Sequence, residues 1–255
     1  MHVAIVFDAE DARSEQRGSE KKNMLKTTLI VIAALVGMTP ASHEPPTREG
    51  VDVSHWQGEV RWPEVAGDDV TFAFAKATEG DRYTDPRFHY NWREMKKAGL
   101  IRGAYHFLDP SINGAIQAAH FLHVVSDLEA GDFIPAVDVE RMKRSSNHQL
   151  ARVVDEFVGE IKKRTGLECI IYVSPAFWKE HLLVVQSGMR HQPLWVAEYD
   201  TNKIDSLKDL PAWTIWQFTR KGRLAGIDGY CDRLKGRSLS VVRIPADWKR
   251  PPNRR

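Results

Sequence analysis

The sequence predicts an α/β fold: an irregular single-domain β/α barrel of about eight strands over residues 49–248, with incomplete helices in its second half. Three observations predict it. Short apolar runs rich in β-branched residues recur along the chain at the length of buried strands. Helix-compatible segments alternate with them through residue 164, the pattern that builds parallel sheets. Polar and charged residues collect at the C-terminal ends of the runs, where barrels carry their sites.

The first strand is Gly50 to Ser54, with Asp52, Ser54 and His55 at its end. The second runs from Val70 to Lys76 and continues into Ala77-Thr78-Glu79-Gly80. Asp85 to Ala98 reads as a helix, because Phe88, Trp92, Met95 and Ala98 recur at steps of four and three and Gly99 follows as a stop. Ile101 to Leu108 is the third strand and contains Tyr105 and His106. A second helix spans Ile112 to Leu128, and Phe133 to Glu140 is the fourth strand. Gln149 to Arg164 is a third helix, with Val153, Val154, Phe157 and Ile161 in register and Gly166 beyond its end. The remaining strands are Glu168 to Ser174, Leu194 to Glu198, Trp213 to Phe218 and Gly229 to Leu234. The connections between them leave little room for full helices.

The fourth strand carries the chemistry. Side chains alternate across a strand, so Asp138 and Glu140 face one side and Val137 and Val139 the other. A rise of ~3.3 Å per residue sets their α-carbons about 6.6 Å apart. Two acids that close do not both ionise readily, and one keeps its proton nearer neutral pH. One proton donor beside one anion is what glycosidic bond cleavage requires. The competing reading is a strand that runs out into a solvated acidic loop.

Composition narrows the alternatives. The chain has 255 residues, 42% hydrophobic, enough for one large core. With 36 basic and 34 acidic residues the formal charge is +2, which gives no nucleic-acid footprint. No ATP, flavin or nicotinamide fingerprint and no ordered metal-ligand set is present, so no cofactor is expected. Cys169 and Cys231 fit no metal spacing, and sequence leaves open whether they pair.

The ends read differently from the middle. Lys21, Lys22 and Lys26 precede a twelve-residue apolar run, Thr27 to Met38, followed by Thr39, Pro40, Ala41 and Ser42. A basic flank, a short apolar run and a small-residue exit are the parts of a secretory signal peptide. The run falls short of the ~20 residues that span a bilayer. Residues 1–42 are therefore read as an extension plus signal peptide, and the expected location is extracytoplasmic, without stable membrane insertion after signal removal. Met24 is an alternative start, and an uncleaved anchor is the rival reading. Residues 43–48, with Pro45-Pro46, are an extended linker. Residues 249–255, with four positive charges and two prolines, are expected to be a disordered tail.

Several segments in order resemble family 25 of the glycoside hydrolases, the N-acetylmuramidases or lysozymes of irregular β/α-barrel type. They are Gly50-Val51-Asp52-Val53-Ser54-His55-Trp56-Gln57-Gly58, Phe72 to Gly80, Gly103-Ala104-Tyr105-His106-Phe107, and Pro135 to Glu140. Ile171-Tyr172-Val173-Ser174, Pro193 to Ala197, Trp213 to Phe218 and Gly226 to Asp232 continue the match. The resemblance covers roughly residues 49–240, and the ordered set is more specific than any single motif. It implies hydrolysis of the β-1,4 bond between N-acetylmuramic acid and N-acetylglucosamine in peptidoglycan glycan strands; the chain itself is expected to be a monomer. It implies Glu140 as general acid, with Asp138, Asp52 and Asp232 completing the catalytic set. One departure stands out: the family continues its last motif as Asp-x-Asn and an aromatic, whereas Asp232 precedes Arg233-Leu234-Lys235-Gly236. Asp228 is the alternative late carboxylate.

Substrate contacts are expected from Lys76, Glu79, Tyr105, Tyr172, Trp195 and Gln217, all at strand ends. Lys76 and Glu79 equally suit a structural ion pair at the rim. Aromatic faces stack on sugar C–H faces, and a tyrosine hydroxyl can reach an acetamido carbonyl. His106 is read as a satisfied barrel histidine, and the Phe88, Trp92, Met95 stripe as core. Two other functions stay open: a chitinase-like, acetamido-assisted hexosaminidase, and a catalytically inactive peptidoglycan-binding barrel.

Overall fold

The computed structural model describes residues 47–185, 188–199, 201, 204 and 212–251. The proposed leader, residues 43–46 of the linker and residues 252–255 of the tail lie outside the described residues. The first strand, β1 (Arg48–Val53), begins one residue inside the predicted linker. There follow helix α1 (Trp62–Gly67), β2 (Val70–Glu79), a two-residue β3 (Tyr83–Thr84), α2 (Phe88–Lys97) and β4 (Ile101–Phe107). Next come α3 (Gly114–Val124), β5 (Ala136–Asp138), α4 (Asn147–Thr165), β6 (Ile170–Val173) and the single turn α5 (Pro175–Phe177). The described chain closes with β7 (Leu194–Ala197), β8 (Trp213–Gly222) and β9 (Cys231–Gly236).

Eight strands close into a ring in the order β1-β2-β4-β5-β6-β7-β8-β9, with β9 returning to β1 and β3 appended to β2. Pairing is parallel from β1 to β8, but β9 runs antiparallel to both β8 and β1. The antiparallel β9 is where the barrel departs from the parallel pairing that alternating strands and helices build. A parallel return needs a crossover of about a dozen residues or more, usually through a helix. The short link from Gly222 to Cys231 permits only a hairpin.

The local rules explain most boundaries. Asn113 accepts from the Ile116 amide and starts α3, while Ser146 accepts from Gln149 and starts α4. Gly166 ends α4 with φ at 73°, a left-handed conformation. The first predicted helix starts three residues late, because Asp85 turns inward to bind the backbone and ring of His55. The fourth strand is shorter than predicted. Pro135 has no N–H for a ladder, and Phe133 instead bridges to Arg243.

Inside the barrel, alternation sends Phe72, Phe74 and Lys76 inward from β2 and Ala73, Ala75 and Ala77 outward to the helices. Phe74 stacks on Phe133 at 4.8 Å and lies 4.6 Å from Trp195. Gly50 and Gly103 make room for these rings. A Cβ at either site would sit 2.4 Å or 2.3 Å from the Phe72 or Phe74 ring. The lower barrel is thus packed shut, and the polar residues are left at the C-terminal end.

Two contacts hold the end of the described chain, Trp248 in the barrel segment and Arg250 in the tail segment. Trp248 donates to the Thr165 carbonyl at 2.9 Å, and Arg250 donates to Ser126 and Val125 carbonyls at the end of α3. Free carbonyls at a helix C-terminus attract a cation. Cys169 and Cys231 are both buried free thiols.

Candidate active site

A cleft of about 420 Å³ opens at the C-terminal end of the barrel. All ten residues singled out from the sequence line it. Register explains how residues so far apart converge. Tyr105 pairs with Ala136, Asp138 with Tyr172, Tyr172 with Trp195, and Ala197 with Gln217, each step moving one strand around the ring. The antiparallel β9 then sets Asp232 directly opposite Asp52.

Like charges facing each other across a ladder repel. Burial first, then the neighbouring Asp232, pushes Asp52 well above the usual carboxylate range, against the donor from Gln217. Burial likewise raises Asp232 to about 6, opposed by Arg220 and reinforced by Glu140. The pair therefore retains a proton far into the range where isolated aspartates have lost theirs. Gln217 orients it: Nε2 donates to Asp52 Oδ2 at 2.7 Å, while Oε1 accepts from Tyr172 at 3.1 Å and Tyr199 at 2.5 Å. Burial raises both phenols, Tyr199 to about 12, so both remain hydroxyl donors.

Asp138 and Glu140 share the cleft but not their surroundings. Asp138 is buried, and its Oδ1 has no hydrogen-bond partner among the described residues. Burial, then Glu140 and Asp52, lifts its pKa well above normal, against Lys76 and Arg141. Glu140 lies two residues past β5 and reaches solvent on one side. Crowding by the cleft wall still removes enough water to raise it, again against Arg141 and Lys76. Of the two acids, Glu140 is the one an incoming oxygen can approach.

The rim is braced by an ion bridge. Lys76 Nζ meets Glu79 Oε2 at 2.6 Å, and Arg141 Nη1 meets Glu79 Oε1 at 2.9 Å. Although burial pushes Glu79 upward, these two cations hold it below the ordinary range. Lys76 and Arg141 also lie over the Phe107 ring, at 4.7 and 4.2 Å. The structural reading of Lys76 and Glu79 is thus realised at the cleft edge.

Trp195 does not offer the open stacking face expected of it. It is 2% exposed and packed edge-on by Tyr105 and Tyr172 at 6.1 and 5.1 Å. It supports those phenols from beneath. Asp228 is excluded as the late carboxylate: its side chain is 85% exposed and pairs with Arg61 at 3.4 Å, away from the cleft. His106 is fully buried between Thr78 and Gln117, at 2.7 and 3.0 Å, and burial lowers it to about 3. It stays neutral, as a core histidine should.

Sequence reasoning missed Tyr199, Arg220, Arg141 and the 81%-exposed Trp56, which also line the cleft. Tyr199 was accessible by the strand-end rule, since it lies two residues past β7. The others carry no periodic signal. Among the described residues, no group of three His, Cys, Asp or Glu side chains is arranged to hold a metal ion.

The pair of aspartates yields a stability prediction. A carboxyl whose folded pKa is raised contributes stability below its unfolded pKa, and this is lost as pH rises through the folded value. For Asp232 that window runs from the ordinary aspartate value of 3.8 to about 6. Asp232→Asn is therefore expected to be more stable than wild type at pH 7, by about 1–3 kcal/mol, with the gap closing by pH 4. Urea unfolding at both pH values checks this. Equal or lower stability of the variant at pH 7 would remove the argument that burial, reinforced by a neighbouring carboxylate, disfavours the Asp232 anion.

A closed mixed barrel with four crowded carboxyls at its C-terminal rim is a glycosidase-type scaffold. Residues 51–227 match Glycosyl hydrolases family 25, and the chain belongs to that family. The uncharacterized protein YegX of Escherichia coli K12 is 38% identical over 76% of this chain and 70% of its own length. Lysozyme M1 of Streptomyces globisporus is 33% identical over 73% of this chain and 67% of its own. The crystal structure of a bacterial lysozyme from Streptomyces coelicolor aligns with a TM-score of 0.70 at 31% identity, covering 78% of this chain and 97% of that one.

Proposed function

We propose that the protein is a lysozyme that hydrolyses the β-1,4 bond between N-acetylmuramic acid and N-acetylglucosamine in peptidoglycan. The observation that carries this is the pairing of a solvent-facing Glu140 with a buried Asp138 whose Oδ1 awaits a donor. A 2-acetamido group is the matching ligand. Its N–H donates to Asp138 Oδ1, and this aims its carbonyl oxygen at the anomeric carbon.

The steps follow from those positions. Glu140 gives its proton to the glycosidic oxygen as the bond to the anomeric carbon breaks. The acetamido oxygen forms the new bond from the opposite face, and Asp138 stabilises the positive charge that spreads onto the acetamido group. Glu140, now a carboxylate, takes a proton from water. The water opens the cyclic intermediate, and configuration is retained through two inversions. The lysozyme relatives support this substrate, as does an exposed indole, Trp56, among the residues lining the cleft.

Digestion of purified peptidoglycan with mass identification of the products tests the proposal. Muramic acid at the new reducing ends is expected. N-acetylglucosamine ends, cleavage of chitin oligomers alone, or wall binding without lysis would each overturn it.

Export is part of the same proposal and rests on the Lys21–Met38 pattern. Protein recovered outside the cytoplasm is expected to begin between Ala41 and Glu49 on N-terminal sequencing. An intact N-terminus in a membrane pellet would favour an anchor.

A further inference from the structure

The cleft is rich in carboxyls, yet its proposed substrate is acidic. Asp52, Asp138, Glu140 and Asp232 all line it. A muramyl residue carries a lactyl carboxylate when free of peptide, and its stem peptide carries carboxylates when present. Bringing such a group into the cleft costs repulsion unless a cation meets it.

Among the described residues three cations line the cleft: Lys76, Arg141 and Arg220. The first two are both engaged by Glu79. Arg220 is exposed and makes no ion pair among the described residues; its guanidinium lies 5.7 Å from the centre of the Tyr199 ring. Its charge is felt by Asp232. Among the described residues it is thus a cation at the site with its hydrogen-bonding edge unspent, and a guanidinium matches a carboxylate in geometry as well as charge.

Its placement is built by the backbone. Gln217 and Arg220 both line the cleft, although they are three positions apart. In a regular strand an odd separation puts side chains on opposite faces. The β8–β9 register shifts between Gln217 and Thr219 and again between Thr219 and Gly222. Such bulges re-aim side chains, and here they turn Arg220 back over the cleft.

We propose that Arg220 receives a carboxylate-bearing substituent of the glycan and so sets a preference for acidic over neutral amino-sugar chains. This rests on the lysozyme reading and specifies which feature of that substrate the site distinguishes. The preference acts mainly through binding, because the group lies away from the bond being broken.

Steady-state kinetics on three substrates test it: peptide-free muramyl glycan, the same glycan with its carboxyls methyl-esterified, and peptide-bearing glycan. Wild type is expected to favour the free acid over the ester by about ten- to a hundredfold in kcat/KM, mostly in KM, as one charge-assisted contact allows. Arg220→Gln is expected to lose that preference and Arg220→Lys to keep most of it. Arg220→Glu, at the same exposed position, is expected to reverse it. If only the peptide-bearing glycan is preferred over the ester, the carboxylates come from the peptide; preference for the peptide-free acid assigns the lactyl group. An equal preference in wild type and Arg220→Gln overturns the proposal. So does a shifted pH profile common to acid and ester with the preference intact, since Arg220 would then act only through Asp232. Failure of wild type to cleave any muramyl glycan while cleaving chitin oligomers would instead overturn the lysozyme reading itself.

Discussion

Glu140→Gln is expected to lower turnover on peptidoglycan by about 10²–10⁴-fold while the barrel stays folded. The amide keeps the shape of the side chain but has no proton to give to the leaving oxygen. The site predicts a clean separation of activity from stability. Glu140 is at the solvent side of the cleft, beyond the last ladder residue, so its substitution disturbs neither the strand nor the core. Removing a carboxyl from a crowd of four also relieves repulsion, and no loss of thermal stability is expected. The comparison is turnover of the purified variant beside its unfolding curve. Residual activity above about a tenth of wild type would exclude Glu140 as the acid. In the wild type, the raised pKa of Glu140 keeps the acid form present at higher pH than for an ordinary glutamate, and activity declines as pH rises through that value.

Asp138→Asn is expected to slow bond cleavage by about a hundredfold or more and to change KM only severalfold. The asparagine can still fill the space but brings no negative charge to the acetamido group as it becomes cationic. That charge matters only in the transition state, so the loss falls on kcat. In the empty cleft Asp138 is pushed toward its protonated form by burial and by Glu140 and Asp52. An acetamido N–H and a growing positive charge favour the anion, so substrate itself draws Asp138 into its working state. Proton NMR of the first product reads the outcome. The β-anomer is expected, through retention. Initial α-anomer would indicate direct attack by water, and a trapped ester on Asp138 would make it the nucleophile.

Much of this site was legible because it follows from strand alternation. Asp138 faces the same cleft as Glu140, and Lys76 follows Phe72 and Phe74 inward, for reasons visible within a few residues of chain. The stop at Gly166 was similarly local, whereas the caps at Asn113 and Ser146 emerged only with the structure. Trp195 shows the limit of such reading. Its position at the rim was right, but whether a ring presents its face or supports its neighbours depends on Phe74, Tyr105 and Tyr172, from three other strands.

The sequence by itself determined the barrel class, the order of its elements, the shared face of Asp138 and Glu140 and the ten side chains gathered at one end. Each of these depends on periodicity or on chain order, and both are written in consecutive residues. The tertiary structure alone decided the direction of β9, the choice of Asp232 over Asp228, and the turn of Arg220 into the cleft. Alternation looks the same whichever way a strand runs, and a bulge exists only relative to the partner strand. The ionisation of the acids was likewise decided there, because Asp52 and Asp232 are remote in sequence and repel only once an antiparallel ladder has set them face to face.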